Sequence, residues 1–93
     1  MIVSAAPAII NVLPNPNKGV FTVRGTVGSM ADELVTFEVT DLLGQVIYRS
    51  KVTAYEGKLN ETITLSNALA NGMYILNVQC AMETKTFHFV VEQ

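Results

Sequence analysis

The 93-residue sequence has no tryptophan, one histidine, one cysteine, and only 15% charged residues. A single cysteine, Cys80, rules out a disulfide framework and a cysteine-built metal cluster. The one histidine, His88, stands between Phe87 and Phe89 with no H-E-x-x-H, G-x-S-x-G or phosphate-loop pattern around it. A solvent-facing strand histidine is the expectation there, rather than a general base. The six Lys and Arg are scattered singly against eight Asp and Glu, which argues against nucleic acid as a partner. No apolar run is long enough to span a bilayer: the longest, Ala5 to Ile10, is broken by Pro7, so no membrane insertion is expected. The N-terminus lacks the basic and apolar regions of a signal peptide. If the protein is secreted, we expect its signal on a longer parent chain, of which this is an excised piece with Met1 as an added start codon. Asp32-Glu33 could touch a calcium ion, but two adjacent loop acids are ordinarily just solvated. Asn60-Glu61-Thr62 fits the N-glycosylation pattern, which recurs by chance. With no convergent reactive groups, no enzyme and no cofactor are expected.

What is present is apolar: 49% of the residues are hydrophobic, too many for a disordered chain and suited to one small, dense β domain. Residues 1–7 read as a tether and 8–93 as the folded unit. The organising stretch runs from Leu13 to Val23. Pro14 and Pro16 fix φ and donate no N–H, so neither fits a central ladder, and Asn15, preceding a proline, is pushed out of the helical region. Asn17 and Gly19 tolerate positive φ, so the chain is expected to reverse at Asn17-Lys18-Gly19 and leave as an alternating strand. Alternation then predicts strands over Ala8–Leu13, Val20–Val27, Leu34–Thr40, Gln45–Val52, Leu59–Leu65, Met73–Cys80 and Lys85–Glu92. Asp41-Leu42-Leu43-Gly44 is a hairpin loop with Gly44 left-handed. Ser66–Asn71 reads as one helical or 3₁₀ turn, and Ala81-Met82-Glu83 as the last hairpin. Seven short strands with no strong amphipathic helix imply an all-β fold, an immunoglobulin-like antiparallel β-sandwich.

Parity assigns the faces. Val35, Phe37, Val39, Val46, Tyr48, Ile63, Leu65, Phe87, Phe89 and Val91 are expected inward, and Arg49, Lys51, His88 and Lys85 outward. Phe37, Leu76 and Phe89 should share one core. Glu61 falls on inward parity, which points to an edge position. Cys80 shares parity with Tyr74, Leu76 and Val78 and reads as a small buried hydrophobe. Tyr74, just after Asn71-Gly72, is expected to form a tyrosine corner, its hydroxyl satisfied by nearby backbone. Every aromatic except Tyr55 points inward, leaving no platform for sugar.

Four segments also resemble, in order, the C-terminal sorting domain of type IX secretion substrates. These are Pro14-Asn15-Pro16 with Gly19 and Phe21, the hairpin Asp41-Leu42-Leu43-Gly44-Gln45-Val46, the stretch Leu65–Val78 with Leu69, Gly72 and Tyr74, and the closing strand Thr84–Val91. The likeness covers roughly residues 10–93. The chain departs from the family in its acidic, lysine-poor end, where Lys85 is the one basic residue left and hence the candidate recognition residue. The resemblance implies an address label fused to an upstream cargo domain. The type IX translocon would recognise the folded label, and the cargo would pass through the periplasm and cross the outer membrane to the cell surface. A sortase-like cysteine protease would then cut before the domain and join the cargo to a lipopolysaccharide anchor. The alternatives are a terminal immunoglobulin-like structural or adhesive module and, behind it, a carbohydrate-binding module. A parent gene with a signal peptide and a larger upstream domain, ending at Gln93, would favour sorting. The positive mean hydropathy, and a first strand that the cut would release, lead us to expect self-association or pairing with a partner strand.

Overall fold

Seven strands form where period-two alternation predicts them. In the computed structural model, which describes residues 8–28, 31–66, 69–80 and 83–93, they are β1 (Ile9–Leu13), β2 (Val20–Thr26), β3 (Glu33–Thr40), β4 (Val46–Ala54), β5 (Lys58–Thr64), β6 (Gly72–Gln79) and β7 (Thr84–Val91). They build a three-stranded sheet, β1-β2-β5, facing a four-stranded sheet, β4-β3-β6-β7, with every neighbouring pair antiparallel. This is the expected all-β sandwich. The tether at residues 1–7 and part of the Ser66–Asn71 turn and of the last hairpin lie outside the described residues.

The inward rows meet in one core. Phe21 and Val23 of β2 and Leu59 and Ile63 of β5 face Val35, Phe37 and Val39 of β3, Leu76 and Val78 of β6, and Phe89 and Val91 of β7, all buried. Phe37, Leu76 and Phe89 share it as expected. The Phe21 and Phe89 rings bridge the two sheets at 4.7 Å between centroids, a separation suited to a tilted aromatic pair. Fully burying a side chain of this size stabilises by about 1.5–3 kcal/mol, so this layer dominates the stability of so small a domain.

Two parity expectations fail. Between Val39 and Thr40 the β3–β4 register slips, pairing Val39 with Tyr48 and Thr40 with Val46. The extra residue, Ile47, packs against the core in place of Val46, which is 48% exposed. A bulge inserts one residue and so reverses facing beyond it, which simple alternation cannot register. Lys85 is not on the outer face either. It pairs with the fully buried Val78 on the same row as Phe87 and Phe89, and is half-buried. Its ammonium reaches the Glu83 carboxylate at 3.7 Å.

β1 connects the sheets. It pairs with β2, then residues 14–19 cross to the other sheet, where Asn17 bridges Val91 in parallel. Close approach of β1 depends on Gly25: a Cβ there would sit 1.9 Å from the Ile9 carbonyl oxygen and 2.8 Å from the Ile10 Cα.

Candidate functional site

The proline corner is fastened to β7 by two asparagines. Asn15 acts like a short strand: its Nδ2 donates to the His88 carbonyl (3.3 Å) and its Oδ1 accepts from the Val90 N–H (3.0 Å). Asn17 continues the pairing through its backbone, donating to the Val90 carbonyl at 2.9 Å and accepting from the Glu92 N–H at 2.7 Å. The Asn17 side chain is buried; its Oδ1 accepts from the Gly19 N–H (2.9 Å) and its Nδ2 donates to the Pro14 carbonyl (3.2 Å). Asn17 therefore turns the chain with its side chain rather than with a positive φ, which only Gly19 adopts here, at 96°. An Asx side chain that accepts from the N–H two residues on mimics a backbone turn. Pro14 and Pro16, both preceded by cis peptide bonds, lie exposed on the outside of the corner.

The other family-motif residues gather at the same end of the sandwich. Asp41 closes the β3–β4 hairpin: its Oδ1 accepts from Leu43 N–H and Gln45 N–H, each at 2.9 Å, and its carbonyl accepts from Gly44 N–H at 3.1 Å. Gly44 has the expected left-handed φ, 87°, a conformation glycine adopts without a Cβ clash. At the entry to β6, Leu69 packs against the core and Gly72 pairs with Val91. Tyr74 is buried against Phe89 with ring centroids 6.0 Å apart, and its hydroxyl donates to the Ala70 carbonyl at 2.6 Å. That is the expected tyrosine corner. Gln93 is tied in alongside, its N–H donating to Asn71 Oδ1 at 2.8 Å.

Lys85 stands apart, at the far end of β7. Val91 lies six positions further along the strand, about 20 Å at strand rise. Around it are Glu83, whose Oε1 accepts from the Ala8 N–H at 2.7 Å, and Cys80, whose N–H donates to the Glu83 carbonyl at 2.8 Å. Burial and the nearby Glu33 and Glu83 carboxylates push the Cys80 thiol above its ordinary pKa, against a smaller opposing pull from Lys85. A raised pKa leaves less nucleophilic thiolate, and Cys80 packs against the core as a half-buried hydrophobe.

The structure thus divides the sequence-derived residues between two poles. Pro14, Asn15, Pro16, Gly19, Asp41, Gly44, Leu69, Gly72 and Tyr74 collect at one, with Phe21 just inside it; Lys85 lies at the other, beside Glu83 and Ala8. Reading the sequence missed the Glu83 clamp on Ala8, since contacts between distant segments leave no local pattern. It also missed the second role of Asn17, for which the spacing Asn-x-Gly was an available signal. His88 is exposed, as expected, and lends only its carbonyl. Among the described residues no group of three or more His, Cys, Asp or Glu is placed to hold a metal. No described helix is long and apolar enough to cross a membrane.

Comparison with known proteins gives this geometry a family. No curated protein matches the chain. Among solved structures it is similar to PorZ of Porphyromonas gingivalis, described as an essential bacterial surface component of the type-IX secretion system (20% identity, TM-score 0.60, covering 90% of this chain and 11% of that one). It is similar also to dimeric latent PorU of the same organism (20% identity, TM-score 0.66, covering 97% of this chain and 10% of that one). The chain therefore spans about a tenth of the length of either, and at this identity the likeness is one of fold. The sequence profile of the secretion system C-terminal sorting domain matches residues 11–92, nearly the whole chain, from β1 through the end of β7. The chain belongs to the secretion system C-terminal sorting domain family.

Proposed function

We propose that residues 8–93 are the type IX sorting label of a longer protein, joined through a tether at residues 1–7 to an upstream cargo domain. The cargo passes through the periplasm, the label engages the type IX translocon, and the cargo reaches the cell surface. A sortase-like cysteine protease then cuts in the tether, ahead of Ala8. The label contributes no chemistry; it works as a recognition surface. The observation that carries this reading is the family match over residues 11–92. Two features support it. The Glu83 clamp holds Ala8 at one pole, so the tether leaves at a defined point. Lys85, the candidate recognition residue, is held by the same carboxylate group, within reach of that exit.

The test is residues 1–93 fused behind a periplasmic reporter in a host with type IX machinery. The reporter should reach the surface, and deleting Lys85–Gln93 should leave it in the periplasm. That deletion removes Phe87, Phe89 and Val91 and so also unfolds the domain. Lys85→Gln separates the two effects. It removes a partly exposed ion pair worth about 0–1 kcal/mol and avoids the second carboxylate that Lys85→Glu would place beside Glu83. A folded Lys85→Gln label that fails to export makes the terminal charge part of the signal. If the intact fusion stays in the periplasm while an established family label exports the same reporter, the domain is a structural or adhesive module instead.

A further inference from the structure

The edges of the two sheets are unequally guarded. On one flank the proline corner lies along β7, and Asn15 and Asn17 occupy its edge from His88 to Glu92. On the opposite flank β4 and β5, the other edge strands, meet across the sandwich, and among the described residues no further strand lies beside either. Here the core is unfinished. Tyr48, Ser50 and Val52 of β4 point inward and are only half-buried, although their ladder partners Val39, Phe37 and Val35 are completely buried. Four strands face three, so the smaller sheet cannot cover every inward row of the larger one.

On the facing edge strand, β5, stands Glu61. It is paired with Val23 and shares a face with Leu59 and Ile63, all three buried, so its carboxylate points toward the interior; the residue is half-buried. Neither ion pair found among the described residues involves it, and none of their side-chain hydrogen bonds does. An inward charge on an edge strand deters pairing with a neutral strand, because covering it leaves a carboxylate desolvated and unpaired. A cation brought in on the incoming strand removes that penalty. We propose that the β4–β5 flank is a docking site for an extended segment of another protein, added to β5 as a fourth strand and selected by Glu61.

The geometry specifies the occupant. Across a β ladder the residue opposite Glu61 shares its inward face, and so do its neighbours two positions away. The docked segment therefore carries Lys or Arg opposite Glu61, with an apolar residue two positions to either side opposite Leu59 and Ile63. A second copy of this chain lacks such a strand. Arg24, Arg49, Lys51, Lys58 and Lys85 each have a polar or charged residue at one or both flanking positions. Lys18, between Pro16 and Val20, lies in the corner already committed to β7. The partner is therefore heterotypic, and the inference stands apart from the sorting reading.

The probe is the capped peptide acetyl-Thr-Val-Thr-Lys-Thr-Val-Thr-amide, with a twin carrying Glu in place of Lys, titrated against the 93-residue protein by calorimetry and amide hydrogen exchange. The lysine peptide should bind at least tenfold more tightly than its twin and protect edge amides of Lys58–Thr64. Glu61→Lys should invert the preference. Should that variant not fold, Glu61→Gln serves, and should bring the two peptides to equal affinity. Equal binding of both peptides to the parent, protection at β7 instead of β5, or no binding of the lysine peptide at millimolar concentration would each overturn the proposal.

Discussion

Replacing Asn17 with alanine tests how the sheet crossing is held. The side chain is buried and makes two hydrogen bonds, one from the Gly19 N–H and one to the Pro14 carbonyl. Gly19 is itself buried, so its N–H loses its acceptor without gaining water, at about 1–3 kcal/mol. Pro14 is exposed, so its carbonyl can turn to solvent and loses little. The sum is about 2 kcal/mol, a large part of the 5–15 kcal/mol typical of a folded domain, and it should lower Tm by roughly 8–16 °C at this size. Asn17→Asp keeps the acceptor for Gly19 but sets an oxygen against the Pro14 carbonyl, so it should fall between parent and alanine. Urea unfolding should show a lower midpoint at unchanged slope. Hydrogen exchange should quicken at Glu92, whose N–H is bonded to the Asn17 carbonyl, and at Val90 beside it, while amides of β3 change only through global stability. An alanine variant within 0.5 kcal/mol of the parent, with Glu92 exchange unaltered, would mean that the prolines alone fix the corner.

Two further substitutions address the elements on either side. Gly25→Ala places a Cβ against the β1 backbone, where neither strand can yield by rotating a side chain; β1 should detach, losing the burial of Ile10 at about 1.5–3 kcal/mol. Limited proteolysis should then cut within Ile9–Leu13 while β2–β7 stays protected, and continued protection of β1 would refute the contact. Tyr74→Phe removes only the bond to Ala70 and should cost about 0.5–1.5 kcal/mol by thermal melting, whereas no change would show the corner bond to be replaceable by water.

Strand positions were legible because each strand has one wet face and one buried face, and the turns between them carry residues with specific backbone demands. Asp41 and Gly44 announce a hairpin through local chemistry alone, and the structure supplies the very bonds that their types imply. Tyr74 was legible for a similar reason, since a buried phenol after Asn-Gly needs an acceptor close by in the chain. The β4 bulge was not legible, because Val46 and Ile47 are both apolar and either could serve the core. Nor was Lys85, expected outward although it shares the parity of Phe87 and Phe89, which places it inward. The Glu83–Ala8 clamp joins residues 75 apart in sequence, and no periodicity carries such a contact.

The two-pole arrangement bears on how family motifs should be read. Phe21 is 1% exposed and Tyr74 is 7% exposed, so a partner touching the folded domain can scarcely reach either. Gly19, Asp41, Gly44 and Gly72 serve turns or strand ends. These residues share an effect on one another rather than a common exposed surface: the corner fixes the end of β7, β7 carries Phe89, and Phe89 packs against both Phe21 and Tyr74. Substituting any one of them would disturb recognition by loosening the sandwich, even if no partner ever contacts it. Surface that a partner can read directly is found on the exposed proline corner, on the outer sheet faces, on the Leu42-Leu43 loop, at the Glu83–Lys85 pole and along the β4–β5 flank. Export assays on the buried motif residues Phe21 and Tyr74 therefore report on folding, and only substitutions at exposed positions that leave Tm unchanged can separate the signal from the scaffold that presents it.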